Sequence, residues 1–147
     1  ITSEKMTRFF ISMEDAVDLC VFAKNNIIGG EIYVQHMHSA SVTDLAAAIN
    51  HGVTPDYKIL GPKPGEKLYE ELITDVEASR TFSNAPYVII IPENMDLLNE
   101  QTRAKFKNLK TKLNHYGASV RSDLNLMSVD KIMELLTRAD NEEENAF

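Results

Sequence analysis

The feature that most constrains this chain is the run Val88-Ile89-Ile90-Ile91, led by Tyr87 and ended by Pro92. β-Branched side chains restrict χ1 and suit a pleated backbone, so residues 87–91 predict a short strand. This is the longest strongly apolar run, and it falls far short of the ~20 residues that cross a bilayer. No stretch reads as a membrane segment, and no signal-peptide pattern opens the chain. The first residue is Ile1 rather than Met, so the chain reads as processed, truncated or a piece of something longer. Its 147 residues fit one domain.

The other elements arrange themselves around that strand. Residues 1–11 read as an extended entry. Ser12, with an acid three residues on, has the form of a helix N-cap. Met13, Ala16, Val17 and Cys20 then recur at helical spacing. Leu19, Phe22 and Ala23 widen that stripe, which predicts a deeply packed helix, ended at Gly29-Gly30. Residues 31–35 alternate as a strand. Ser41 or Thr43 caps a second helix through Leu45 to Ile49, stopped near Gly52. Residues 57–60 read as a second strand, 61–65 as a rigid loop, and 66–73 as a helix with Leu68, Leu72 and Ile73 inward. A helix is predicted over 96–116, with Phe106, Leu109, Leu113 and Tyr116 on its narrow stripe. A last helix begins at Ser128 and turns Val129, Ile132, Met133 and Leu136 to one face. This order predicts an α/β body with a small, short-stranded sheet over 1–139, followed by an acidic flexible tail over 140–147. So modest a sheet is expected to lean on another domain or subunit.

The formal charge of -7, from 22 acidic and 15 basic side chains, argues against a nucleic-acid partner. The basic residues Arg103, Lys105, Lys107, Lys110 and Lys112 have no interleaved aromatics to stack bases and read as a solvated helix face. The single cysteine, Cys20, excludes an internal disulfide and reads as a buried small hydrophobe, in keeping with a reducing cytoplasm. His36 and His38 stand two apart, on one face if the strand reaches them. No further ligands of suitable type and spacing accompany them, and no metal site is predicted. There is no Gly-x-Gly-x-x-Gly after a strand, no Gly-Lys-Ser/Thr phosphate loop and no Tyr-x-x-x-Lys proton-transfer pair, so no catalytic residue is assigned.

Two segments carry candidate chemistry. In Met6-Thr7-Arg8-Phe9-Phe10 an arginine stands beside two aromatics, ahead of a capped helix. Its planar fork suits bidentate bonds to phosphate; the alternative is a surface arginine. In Lys63-Pro64-Gly65-Glu66-Lys67 proline fixes the backbone and glycine permits close approach. Lysine offers a cation and glutamate an acceptor for hydroxyl groups. The alternative is a turn whose charges are only solvated.

Those segments, in that order, resemble the C-terminal part of the UDP-N-acetylglucosamine 4,6-dehydratases and related epimerases of bacterial polysaccharide biosynthesis, members of the extended short-chain dehydrogenase/reductase superfamily. Residues 6–16, MTRFFISMEDA, are similar to that family's MTRFF-I-(S/T)-x-x-x-A segment. Residues 30–46, GEIYVQHMHSASVTDLA, are similar to its GEI-(Y/F)-V-x-K-M stretch, and residues 61–74, GPKPGEKLYEELIT, to its G-x-R-P-G-E-K-L-x-E-E-L-I-T signature. Residues 87–92 and 122–136 resemble its closing segments. The likeness is weakest over 94–118.

The resemblance implies a cytoplasmic homo-oligomer whose Rossmann domain, absent from this chain, binds NADP or NAD. The cofactor takes a hydride from sugar carbon 4, and a dehydratase returns it at carbon 6 after water leaves. An epimerase uses the same hydride removal to invert a centre. The C-terminal part grips the UDP-sugar. Matched motif to motif, Arg8 contacts the diphosphate, Lys63 stands at a second phosphate position, and Glu66 takes a ribose hydroxyl. The chain departs from the pattern at Lys63, where arginine is usual, and at His36, where lysine is common. It carries neither cofactor glycines nor catalytic tyrosine and lysine, so alone it is expected to bind no cofactor and turn over no nucleotide sugar. The rival expectation is a stand-alone module for nucleotide-sugar binding or protein contact.

Overall fold

The computed structural model describes the backbone of residues 1–144 and the side chains of residues 1–138. The elements, in order, are β1 (Thr7–Phe10), α1 (Met13–Asn26), β2 (Ile32–Gln35), β3 (His38–Ser41), α2 (Val42–Ile49), β4 (Glu71–Ile73), α3 (Asp75–Ala78), β5 (Thr81–Asn84), β6 (Tyr87–Ile90), a 3-10 turn (Met95–Leu97), α4 (Glu100–Lys112), β7 (Asn114–His115), β8 (Val120–Arg121) and α5 (Val129–Glu144). The fold is mixed α/β with small sheets, as the sequence predicts. The chain divides into two compact units. The expected acidic tail over 140–147 falls outside the described side chains.

Unit 1 comprises Ile1–Ser12, Met37–Glu70 and the chain from Arg121 on. β1 and β3 pair antiparallel, with Arg8 opposite Ala40. β3 runs straight into α2. Ser41 stays extended and its side chain accepts the Asp44 N–H, satisfying a donor that a helix start leaves orphaned. The small side chains Ala40 and Ala48 meet Ile132 of α5, and Leu45, Met127, Val129, Met133 and Leu136 close around them. The predicted stripe of α5 is therefore its packed face, and the Ser128 hydroxyl accepts the Lys131 N–H at 3.4 Å.

Two predicted elements that begin in this unit do not form. Residues 57–60 are no strand. The chain is tied there by two bonds to Ile1, which donates to the Lys58 carbonyl and accepts from the Leu60 N–H. Residues 66–73 are no helix. Thr7 N donates to the Leu68 carbonyl at 2.8 Å, and Arg8 takes the Lys67 carbonyl, so acceptors that a helix would use internally are committed to β1. Leu68 is left 41% exposed instead of turned inward, whereas Ile73, on β4, is buried.

Unit 2 comprises Met13–His36 and Glu71–Val120. Its sheet has the order β2-β6-β5-β7, antiparallel throughout. β6 is the predicted strand and lies inside the sheet. Successive side chains of a strand point to opposite faces, and here both faces are covered. Val88 and Ile90 pack with Val34 and Ile73, while Ile89 and Ile91 pack with Phe106. An unbroken apolar run is what a strand buried on both sides needs.

The helix predicted over 96–116 is shorter. Asn99 caps α4 by accepting the Thr102 N–H, and Leu113 leaves helical geometry at ψ 147°. The chain then pairs as β7 against Phe82 and Ser83 of β5. Phe106, Leu109 and Leu113 line one core as predicted, while Tyr116 lies against the other.

α1 forms where predicted, but the expectation of deep packing fails. It has no buried residue; Met13 is 81% exposed, Val17 and Val21 about half, and Cys20 is exposed. Only its other side is partly covered, where Phe22 lies 4.5 Å from the Tyr87 ring and edge-on to Tyr33. Helical spacing identifies an apolar stripe; whether something covers it depends on the rest of the fold.

Candidate nucleotide-binding site

The three residues singled out in the sequence, Arg8, Lys63 and Glu66, all fall in unit 1. Lys63-Pro64-Gly65-Glu66 is a tight turn. The Glu66 N–H donates to the Lys63 carbonyl at 3.0 Å, and Gly65 holds φ +83°, which a side-chain-bearing residue adopts only under strain. Proline before glycine is the sequence signature of a type II turn. The turn is closed a second time from the side chain, because the Glu66 carboxylate accepts the Lys63 N–H at 3.0 Å. Its other oxygen accepts the Thr2 hydroxyl at 3.2 Å.

These bonds set the charge of the site. The Lys63 N–H above all, then the Thr2 hydroxyl and the nearby charges of Lys63 and Arg8, hold the Glu66 carboxyl below the usual carboxylate range. Glu66 is thus ionised, oriented and equipped with spare lone pairs for further hydroxyl donors. Lys63 is exposed at the turn.

Arg8 projects from β1 onto the irregular segment after the turn. Nη1 donates to the Thr7 carbonyl at 2.7 Å and the Leu68 carbonyl at 3.4 Å, and Nη2 to the Lys67 carbonyl at 3.0 Å. Nε stands 3.8 Å from a Glu70 carboxylate oxygen. Backbone carbonyls thus hold the guanidinium, which remains partly exposed. Arg8 and the 63–70 loop are one hydrogen-bonded assembly.

Sequence reasoning did not find the neighbours of this assembly. Arg121 lies 4.0 Å over the Tyr69 ring and grips Asp123 with two bonds, 3.0 Å from Nε and 2.6 Å from Nη2. That grip holds the Asp123 carboxyl low. Ser122 is completely buried beside Thr7 and Glu70. Thr7 and Ser122 are 115 positions apart, and no local pattern announces such a meeting.

The remaining candidates stay apart. The strand does not run through His36 and His38: β2 ends at Gln35, and β3 begins at His38 opposite Phe10. His36 lies against the Tyr116 ring at 5.5 Å. Among the described residues no three of His, Cys, Asp and Glu gather as a metal site, and no helix is long and apolar enough to cross a membrane. Lys105, Lys107, Lys110 and Lys112 of α4 are exposed.

The chain is similar to known proteins. The chain is 37% identical over 92 residues to the UDP-N-acetylglucosamine 4,6-dehydratase (inverting) of Campylobacter jejuni, covering 63% of this chain and 27% of that protein. It is 28% identical over 148 residues to the UDP-glucose 4-epimerase of Rickettsia felis, covering 99% of this chain and 43% of that one. The X-ray structure of Pen from Bacillus thuringiensis superposes with a TM-score of 0.75 at 26% identity, over 95% of this chain and 41% of Pen. The chain therefore spans less than half the length of the relatives it matches. The profile of the family described as polysaccharide biosynthesis protein matches residues 1–92, a stretch holding Arg8, Lys63 and Glu66 alike, and the chain belongs to that family.

Proposed function

We propose that this chain is the substrate-binding portion of a nucleotide-sugar 4,6-dehydratase or epimerase, and that unit 1 grips the UDP part of the sugar nucleotide. The observation that carries this is the joining of Arg8 to the Lys63–Glu66 loop through the Lys67 and Leu68 carbonyls. Two cations and the oriented Glu66 carboxylate then stand in a single assembly with Glu70 behind Arg8, a set that can serve the phosphates and hydroxyls of a nucleoside diphosphate. A guanidinium has five N–H donors. Three serve carbonyls and Nε faces Glu70, which leaves an Nη2 hydrogen, and a positive charge shared with Glu70, for a phosphate oxygen. Lys63 adds a second, mobile charge. Glu66 accepts a ribose hydroxyl.

In this reading the chain holds and orients its substrate and takes no part in proton transfer. NADP or NAD supplies hydride chemistry in the complete enzyme. The cofactor, in this reading, belongs to a Rossmann portion and not to the substrate grip. A cytoplasmic homo-oligomer is the matching assembly. A second reading, a module for protein contact, draws on the bare apolar stripe of α1.

Calorimetric titration of UDP, and then UDP-N-acetylglucosamine, tests the proposal. Saturable binding is expected, weakened at least ~10-fold by Arg8→Ala or Glu66→Ala, since each leaves a charged hydrogen bond unmade. Lys63→Ala is expected to weaken it less, with an effect that shrinks as salt rises. A folded chain that takes up neither ligand, or binds them equally well with all three side chains cut back, overturns it.

A further inference from the structure

We propose that Ser122 is a positioning residue for the nucleotide grip, acting through Arg8; this rests on the reading of Arg8 given above. Ser122 is fully buried, yet its hydroxyl meets three polar groups. Oγ lies 2.9 Å from the Thr7 hydroxyl, 3.1 Å from the Thr7 carbonyl and 2.9 Å from the Glu70 nitrogen. A serine hydroxyl has one hydrogen and two lone pairs. The Glu70 N–H fills one lone pair. The Thr7 carbonyl can only accept, so Ser122 donates its hydrogen there. The Thr7 hydroxyl must then donate to the second lone pair. Every bonding capacity of the Ser122 hydroxyl is used, and the order of donors is fixed.

That order reaches Arg8 in two ways. The Thr7 carbonyl accepts Arg8 Nη1 at 2.7 Å as well as Ser122, so both of its lone pairs are engaged and its direction is pinned. Ser122 N also donates to the Glu70 carbonyl at 2.9 Å. Glu70 is thereby clasped at both backbone groups, and its carboxylate stands 3.8 Å from Arg8 Nε. Ser122 thus orients the acceptor for one side of the guanidinium and the residue that carries the anion at the other. At the buried end of this network, between Thr7 and Ser122, such bonds reinforce one another, and a missing member is felt by the rest. Without the Ser122 hydroxyl the Thr7 carbonyl keeps only the Arg8 donor, and the guanidinium is less firmly directed.

The test is UDP titration of the unaltered chain, Ser122→Ala, Arg8→Ala and the double variant. Ser122→Ala is expected to weaken UDP about tenfold, yet to add almost nothing once Arg8 is gone, because coupled residues are non-additive. Unchanged affinity in a folded Ser122→Ala chain, or full additivity with Arg8→Ala, overturns the proposal. Ser122→Ala puts the fold at risk, so Thr7 is varied as well. Thr7→Ser keeps the donor to Ser122 and is expected to bind as the unaltered chain does, while Thr7→Val removes the donor and weakens binding; equal affinities overturn the proposal. If the unaltered chain takes up no UDP, the functional reading fails and the positioning role is judged on ligand-free protein. Faster exchange of the Arg8 Nη protons by NMR in Thr7→Val than in Thr7→Ser supports it, and equal exchange overturns it.

Discussion

Thr7, Ser39 and Ser122 are buried in unit 1, whereas the buried centre of unit 2 is Val88, Ile89, Ile90, Ile91 and Phe106, with Thr81 the buried polar side chain among its described residues. Apolar burial has no direction: it stabilises a scaffold in proportion to area and tolerates small shifts. Hydroxyl bonds fix angles. In unit 1 they hold segments with no regular structure, as when Ser39 donates to the Leu124 carbonyl at 2.9 Å and accepts, through its own carbonyl, the Met127 N–H. A site built on loops needs side chains to do for the backbone what a ladder or helix does elsewhere. The candidate residues lie in the unit with that kind of support.

The sharpest way to break this contrast is Phe106→Ala. Phe106 is wholly buried against Ile89 and Ile91, and its loss is expected to cost ~3–5 kcal/mol. Hydrogen exchange should accelerate most at the β6 amides. Equal acceleration at the α2 amides would show that the two units unfold together. Ser41→Ala comes next, at ~1 kcal/mol, because the Asp44 N–H loses its cap. Denaturant melts followed at α2 read it; an effect under ~0.3 kcal/mol would mean that packing with α5, and not the cap, sets the helix start.

The smallest effect expected is a pH dependence. Burial, with Glu31 beside it, pushes the Tyr33 hydroxyl up to about 12. A raised value favours the protonated form in the folded state, so its contribution is whole below the ordinary value of 10.0 and is lost as pH rises through about 12. Glu66 runs the other way: its depressed value keeps its contribution above the ordinary 4.5 and loses it only as pH falls further. Alkaline titration of tyrosine absorbance should show a late component that Tyr33→Phe removes. Persistence of that component would assign it elsewhere, with Tyr57, raised by its bond to Glu4, as the next candidate.

Helices α1, α2, α4 and α5 and the central strand were legible because their signals are local, while the short α3 went unread despite its Thr74–Glu77 capping box. Residues 87–91 announce a strand by composition, and Ser41 announces α2 by its hydroxyl. β5 was not legible, since Thr81-Phe82-Ser83-Asn84 carries one apolar side chain and is a strand because β6 pairs with it. Residues 66–73 misled for the opposite reason. Leu68, Leu72 and Ile73 have helical spacing, but Thr7 and Arg8 claim the carbonyls of 67 and 68 from far along the chain. The same holds for the site. Arg8, Lys63 and Glu66 were visible as residue types in suggestive company, while Ser122, with no chemistry of its own to advertise, was visible only once the chain had closed on it.

The exposure of Cys20 has a practical consequence. It is the sequence's single cysteine, and it lies on α1 among exposed apolar side chains. A maleimide dye can therefore be attached at one known point without substitutions elsewhere. An environment-sensitive fluorophore there would brighten and shift to the blue whenever another surface covers that stripe. The residue that the sequence alone would have hidden in a core becomes the reporter for whatever lies against the helix.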